Sequence, residues 1–343
     1  MDMKDIAKLA GVSKATVSRV INNSQNVSPE LRARVERVLK ETGYTPNLLA
    51  QELVTKKTKL IGVILPRIGI DTFSHITEGI TDKLNEEGYN ILLGNSRGSE
   101  NDEFKYFDIF QKKHLDGIIF FHTEIKEKHI KLINEINIPV VIMGQQNSKI
   151  DVPYVTYDDF NAAKAIVSHL ISQRHEKIAY IGLSETKVAI GSFRKEGYMA
   201  ALKENNIDVP DEYLSVGDFE ISSGYEAMKS IINNSKIIPT AVFAAIDRLA
   251  FGAIQYLKEK GYRVPEDISV VGIDDMEISS IFEPTLTTMN FDYYDSGIKA
   301  AKLILEKLQN EKIENKNIVM AYELKIRNST KKIKSNSIIF LHK

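Results

Sequence analysis

Asp5-Ile6-Ala7-Lys8-Leu9-Ala10-Gly11-Val12-Ser13-Lys14-Ala15-Thr16-Val17-Ser18-Arg19-Val20-Ile21-Asn22 is the stretch that organises this chain. Ile6, Leu9 and Ala10 fall on one face at helical spacing. Gly11 ends that helix, because a residue free to take positive φ suits the point where a helix stops and turns. Ser13 can cap a second helix through its side-chain oxygen, and that helix carries Val17, Val20 and Ile21 on its apolar face. Lys14, Ala15, Ser18, Arg19 and Asn22 are left on the other face. Two short helices joined by a glycine turn make a helix-turn-helix, whose second helix enters the DNA major groove. Arg19 suits bidentate bonding to guanine, Asn22 an adenine edge or a phosphate, and Ala15 a thymine methyl. A helical hairpin with a merely solvated polar face is the plainer reading, but turn, cap and polar set agree on DNA.

Outward from this motif, Ser28 and Pro29 start a third helix with Leu31, Val35, Val38 and Leu39 on one face, ending at Gly43. Tyr44-Thr45-Pro46 breaks the pattern. Residues 47–55 can form two helical turns, too few to be stable alone in water. Lys56-Lys57-Thr58-Lys59 then reads as a basic linker. The 47–55 segment is either part of that linker or a hinge helix that orders on DNA, with Leu53 wedged into the minor groove.

Charge supports a nucleic-acid contact confined to one end. Residues 1–60 carry a net charge of +5 and the remainder −6, although the whole chain of 343 residues carries only −1. With 43% hydrophobic residues the chain can bury a sizeable core. It contains no cysteine, so disulfides and thiolate metal sites are excluded. No signal-peptide pattern and no membrane-length apolar run is visible, and the expected location is cytoplasmic.

From residue 60 the texture changes. Apolar runs at 60–65, 90–93, 117–121, 139–143, 177–182, 241–245 and 269–272 alternate with helical patterns at 73–87, 100–113, 161–173, 193–205, 222–233, 247–260 and 292–309. Continuous apolar strands joined by helices predict parallel sheets covered on both faces. Two sheets are needed, one for about 60–160 and one for about 161–288, with the last helix and strand returning to the first. Ligands in such sheets bind at the carboxyl ends of the strands, so two lobes facing across that edge form a cleft.

These features together resemble the lactose/galactose repressor (LacI/GalR) family over nearly the whole chain. Asp5–Val20 carries that family's headpiece pattern, and Gly43-Tyr44-x-Pro46-Asn47-x-x-Ala50-x-x-Leu53 its hinge pattern. Pro265-Glu266-Asp267-Ile268-Ser269-Val270-Val271-Gly272-Ile273-Asp274-Asp275 and Pro284-x-Leu286-Thr287-Thr288 are also typical. Pro66-Arg67, Gly144-Gln145-Gln146 and the Gly191–Tyr198 string are similar to sucrose-type sugar-operon repressors of Gram-positive bacteria. The resemblance implies a small all-α helix-turn-helix DNA-binding domain at 1–45 and a hinge helix and linker at 46–59. It implies an α/β two-lobed periplasmic-binding-protein-like body with two parallel sheets at 60–328, and a tail at 329–343 that reads as a frayed end. The N-lobe takes about 60–160 and 289–322, the C-lobe about 161–288 and 323–328.

The same resemblance implies a homodimer on a near-palindromic double-stranded operator. Lys14, Ala15 and Arg19 would contact bases, Ser13, Ser18, Asn22 and Asn26 would hold backbone or base edges, and Leu53 would intercalate beside Asn47 and Ala50. For a small sugar or sugar-phosphate effector it implies Phe73, Asp158, Arg194, Phe219, Asp247 and Asp274; Gln145, which follows the strand ending at Met143, should point into the cleft as well, and so, with less weight, should His122 and Thr123 after Phe121. Arg194 and Asp274 suit sugar hydroxyls by chemistry as well, although a surface ion pair is the plainer reading for an Arg at the start of a helix. Asp247 has a competing reading as a helix N-cap, and Ile246 stands where the lactose repressor has an amide.

No cofactor is implied, and no catalytic constellation emerges: the seven His include no metal-spaced pair on one face, no Gly-rich phosphate loop follows a strand, and Ser184 is not in a nucleophile elbow. A corepressor-dependent catabolite regulator is the alternative. That group docks its protein partner partly through an Arg in the helix after the Thr-Thr segment, where Lys302 stands near the matching place. A periplasmic-type sugar carrier or a sugar-processing enzyme fits less well.

Overall fold

The computed structural model describes residues 1–21, 26–44, 57–122, 124–146, 148–184, 188–309 and 316–333. Asn22, Asn47, Ala50, Leu53, Thr123 and the expected hinge helix lie outside the described residues. The chain divides into two compact units, Met1–Thr58 and Lys59–Lys343.

The first unit contains helices α1 (Met3–Leu9), α2 (Lys14–Ile21) and α3 (Pro29–Thr42). Asp2 and Asp5 close a capping box around α1, and Gly11 takes φ +62 in the turn that follows. Ser13 Oγ accepts from Thr16 N at 3.1 Å and caps α2, while Ser28 caps α3. Ile6, Ala7, Ala10, Val17, Val20 and Val35 form the small core. Leu9 departs from expectation, being 59% exposed. The helix turns Ala7 inward instead, one step round from the face that the apolar count suggested.

The second unit holds two six-stranded sheets. The first has the order β11-β5-β4-β3-β1-β2 and is parallel throughout. It comprises β1 (Leu60–Leu65), β2 (Asn90–Asn95), β3 (Gly117–Phe121), β4 (Val140–Met143), β5 (Tyr154–Tyr157) and β11 (Asn317–Met320). The second has the order β12-β10-β9-β8-β6-β7. It comprises β6 (Ile178–Leu183), β7 (Leu214–Gly217), β8 (Ala241–Ala244), β9 (Ser269–Ile273), β10 (Thr287–Phe291) and β12 (Tyr322–Lys325). Its β10–β12 pair is antiparallel, a departure from the all-parallel expectation. Strand β1 shows why the runs are continuously apolar: Ile61, Val63 and Leu65 enter one core cluster while Ile64 enters another with Phe107 and Phe120.

Helices α4 (Asp71–Glu86), α5 (Glu100–Lys112), α6 (Glu127–Glu135) and α11 (Tyr293–Leu308) cover the first sheet. Helices α7 (Asp159–Ser172), α8 (Val188–Glu204), α9 (Ile221–Asn234) and α10 (Asp247–Glu259) cover the second. The α4–α11 contact is close enough that a Cβ on Gly79 would lie 2.1 Å from the Tyr294 carbonyl oxygen. The described chain passes between lobes at Asp158, Asp292 and Ala321. Asp158 and Asp292 cap α7 and α11, accepting from Asn161 N at 3.2 Å and Asp295 N at 2.9 Å. The return to the first lobe thus follows Phe291 rather than residue 288, because β10 stays in the second sheet to its end.

Helix α6 and strands β5, β7 and β10 are absent from the apolar-run reading, and the one last strand expected in the first sheet is two, β11 there and β12 in the second; β7, Leu-Ser-Val-Gly at a sheet edge, has no continuous apolar run to find. Residues 329–333 also differ from the frayed end expected. Ser329 is fully buried, and its Oγ accepts from Thr287 N at 2.8 Å and donates to the Val270 carbonyl at 2.6 Å. His175 Nε2 donates to the Lys331 carbonyl at 3.0 Å. Ser329→Ala should therefore lower the unfolding free energy in urea by about 1–3 kcal/mol, since it leaves a buried amide and carbonyl short of a partner; an unchanged transition would contradict this anchoring.

Candidate functional site

In the first unit, Ser13, Lys14, Ala15, Arg19 and Asn26 are exposed and Ser18 is half-buried. Val17 and Val20 point into the core, so the face of α2 with Lys14, Ala15 and Arg19 is left to solvent. That face combines donors for base edges with a methyl, as major-groove readout requires.

In the second unit, Arg194 on α8 lies between carboxylates from two other segments and is 2% exposed. Its Nε donates to Asp159 Oδ1 at 2.7 Å, and its Nη1 donates to the Ala245 carbonyl at 2.5 Å. Nη1 also stands 3.7 Å from Asp274 Oδ1. Asp274 follows β9 with φ +139, and Tyr293 Oη donates to its Oδ1 at 2.8 Å. Burial works against the Arg194 charge, but Asp159 and Asp274 more than offset it, so the guanidinium stays protonated. Asp159 is raised by its burial, with Arg194 pulling the other way. Asp274 is pushed up to about 7, chiefly by burial and further by the Asp247 charge, against the pull of Arg194 and the Tyr293 hydroxyl.

This group sits in a chamber of about 40 Å³ whose walls include Phe73, Phe121, Tyr157, Phe219 and Ile246. Phe73 packs edge-on against Phe121 at 4.9 Å between ring centroids. The chamber therefore offers ring faces and apolar edges around a small set of buried polar groups, the pattern of a small-molecule site. A side branch of about 240 Å³ shares Phe73, His122 and Phe219 with it and reaches Glu103, Lys126 and His129.

Of the expected effector residues, the structure brings Phe73, Arg194, Phe219 and Asp274 together in the chamber wall. Arg194 lies in the second turn of a helix that begins at Val188, earlier than the periodicity suggested. Three expected residues are corrected. Asp158 caps α7 with its side chain, so the next residue, Asp159, enters the site. Gln145 accepts from Ile125 N at 2.7 Å and tethers a neighbouring loop; Gly144 lines the chamber in its place. Asp247 is fully buried behind the wall and is not an N-cap, since Ile246 holds that position. Its carboxylate accepts from Thr288 Oγ1 at 2.6 Å, Ser279 Oγ at 2.6 Å and Met276 N at 3.3 Å, stapling the segment after Asp274.

The expectation of no metal-spaced histidines misses one grouping. Glu103, His122 and His129 are buried with their ligand-type atoms within 4.8 Å of one another. Glu103 lies 3.0 Å from both His122 Nδ1 and His129 Nε2. Burial pushes the Glu103 carboxyl up, but those two hydrogen bonds outweigh it and hold the group below the usual carboxylate range. Lys126 N donates to His129 Nδ1 at 3.2 Å, so His129 carries its proton on Nε2 and directs an N–H, not a lone pair, at Glu103. His122 Nε2 pairs with the Glu124 carbonyl. The cluster is thus satisfied as a hydrogen-bonded hub joining α5, α6 and the end of β3.

Known proteins share this architecture. The family described as bacterial regulatory proteins, lacI family, matches residues 2–47, and a periplasmic binding protein-like domain matches residues 167–330. Catabolite control protein A of Priestia megaterium is 33% identical over 327 residues, covering 95% of this chain and 98% of the relative. A crystal structure of the lac repressor dimer bound to operator and the anti-inducer ONPF matches with a TM-score of 0.88 at 27% identity, covering 96% of this chain and 99% of that one. The transcriptional regulator CelR in its cellobiose complex matches with a TM-score of 0.73 at 29% identity, again covering 96% and 99%. Among the described residues no helix is long and apolar enough to cross a membrane.

The raised Asp274 carboxyl has a consequence for stability. The folded chain holds a proton there that the unfolded chain releases near pH 4, so folding is favoured at low pH and loses stability as pH climbs toward about 7. Asp274 therefore lowers the melting temperature of the ligand-free protein as pH rises between about 4 and 7, and the wild type should lose more stability over that window than Asp274→Asn. An equally steep fall in the variant would show that Asp274 is not the group responsible.

Proposed function

The chain belongs to the lacI family of bacterial regulatory proteins, and on that premise we propose that it is a repressor that binds a near-palindromic operator as a homodimer and is released by a small sugar or sugar phosphate. Transcriptional regulation by a ligand-responsive repressor is the function the family shares. The observation that carries the effector reading is the Arg194–Asp274 pair in an aromatic-walled chamber. A guanidinium donates to hydroxyl oxygens, a carboxylate accepts from vicinal hydroxyls, and aromatic faces suit the C–H face of a sugar ring. The Pro66-Arg67 and Gly191–Tyr198 strings favour a sucrose-related sugar. The cellobiose complex of a relative supports a disaccharide-sized ligand.

In the proposed switch, the α2 face reads the operator, and sugar in the body changes how two subunits hold their headpieces. Its effect on operator affinity is bounded by the sugar's differential affinity for the two states. Such a protein works in the cytoplasm, beside the DNA it reads. Control through a protein corepressor is the second reading, favoured by the likeness to catabolite control protein A. The exposed Lys302, in place of the expected Arg, weighs against it.

Operator sites selected from a random duplex pool would test both readings by fluorescence anisotropy. Arg19→Ala should cost about 1–3 kcal/mol on the selected site while leaving non-specific binding nearly intact. A sugar that raises the melting temperature should also release the operator. Binding that is weak for the chain alone and indifferent to every sugar would favour the corepressor reading.

A further inference from the structure

The effector cleft has a mouth that the sugar chemistry of the inner chamber does not use. It is a space of about 410 Å³ whose lining includes Arg67, Arg97, Glu220 and Arg248. Arg67 follows β1 and Pro66; its Nη1 donates to Glu220 Oε1 at 3.2 Å, and its guanidinium stands 5.4 Å from the Phe219 ring centre. Arg248, in the first turn of α10, donates from Nε to the Phe219 carbonyl at 2.6 Å and from Nη2 to Glu220 Oε2 at 3.0 Å. Arg97 stands in the turn after β2 with φ +54. That turn is anchored by the buried Ser96, whose Oγ donates to the Leu65 carbonyl and accepts from Gly98 N. Among the described residues no group pairs with the Arg97 guanidinium.

Two guanidinium groups thus hold one carboxylate, and a third lines the same space without a partner among the described residues. Glu220 is the N-cap residue of α9, yet its side chain makes no cap hydrogen bond and is held by Arg67 and Arg248 instead. Its side chain is 53% exposed, so these pairs are wet and contribute little to stability. A latch that merely closes the cleft would need Arg67, Arg248 and Glu220, and it gives Arg97 nothing to do. A dianion gives all three arginines a partner, because planar guanidinium groups bind phosphate oxygens bidentately. The mouth also adjoins the inner chamber directly, since Ile70 and Arg248 line both.

Resting on the sugar-responsive reading above, we propose that the mouth is an anion subsite and that the effector is a sugar phosphate. The sugar ring lies against Arg194 and Asp274 and extends from the inner chamber into the side branch that shares Phe73 and Phe219 with it. The phosphate takes the place of the Glu220 carboxylate among Arg67, Arg97 and Arg248. Glu220 is the resident substitute for that phosphate when no effector is bound.

A library of mono- and disaccharides, each paired with its monophosphate ester, tests this by thermal shift, with calorimetry on the hits at constant ionic strength. The tightest ligand should be phosphorylated and bind at least about tenfold more tightly than its own neutral sugar. Arg97→Ala should bring that ratio toward one. Glu220→Gln should raise it, because the competing carboxylate is gone, whereas the distant surface variant Lys112→Ala should leave it unchanged. A ratio near one in the wild type, a ratio untouched by Arg97→Ala, or an equal thermal shift from inorganic phosphate alone would each overturn the subsite. If neutral sugars bind without preference, only this proposal falls; if no sugar in either form binds, the sugar-responsive reading falls with it.

Discussion

The body of this protein depends on one buried cation. A guanidinium taken out of water is strongly unfavourable unless charges and acceptors surround it. Arg194 meets that demand with Asp159 from the start of α7, the Ala245 carbonyl after β8 and Asp274 after β9. Three segments distant in sequence are thereby tied at the carboxyl edge of the second sheet. Burial, with the charge of Asp247 and to a lesser degree of Asp159 added to it, is why Asp274 holds its proton toward neutral pH against the pull of Arg194. A ligand hydroxyl entering the chamber meets a donor and an acceptor already held in place by the protein's own bonds.

The same network reaches the passages between lobes. Tyr293, which donates to Asp274, begins α11, the helix that carries the chain back over the first sheet. Tyr157, in the last residue of β5, is hydrogen-bonded to Ser296 of that helix at 2.8 Å. Residues of the chamber wall are therefore neighbours of the positions at which the chain passes from one lobe to the other.

Support behind the chamber is as specific as the chamber itself. Asp247 spends its carboxylate on Met276, Ser279 and Thr288, and Ser329 bridges β9 at Val270 and β10 at Thr287. The Glu103–His122–His129 hub similarly fixes the loop after β3 beside the side branch. Each is a buried polar cluster with its hydrogen bonds made, which favours a single arrangement of the surrounding backbone.

The sequence by itself determined the helix-turn-helix and the alternation of strands and helices, while Arg194 and Asp274 were singled out mainly through the resemblance to a family. Those features are local: a glycine turn, a serine cap and apolar periodicity act within a few residues of chain. Only the tertiary structure decided which neighbour in Asp158-Asp159 enters the site, because an N-cap side chain folds back onto its own helix and the next residue turns inward. It alone took Gln145 out of the chamber to Ile125, set Asp247 behind the wall, and anchored Ser329 where composition suggested a frayed end. It also assembled Glu103, His122 and His129, and the three arginines at the mouth, from separate elements. Such contacts depend on where distant segments meet and on which direction a side chain takes there, and one-dimensional spacing carries neither.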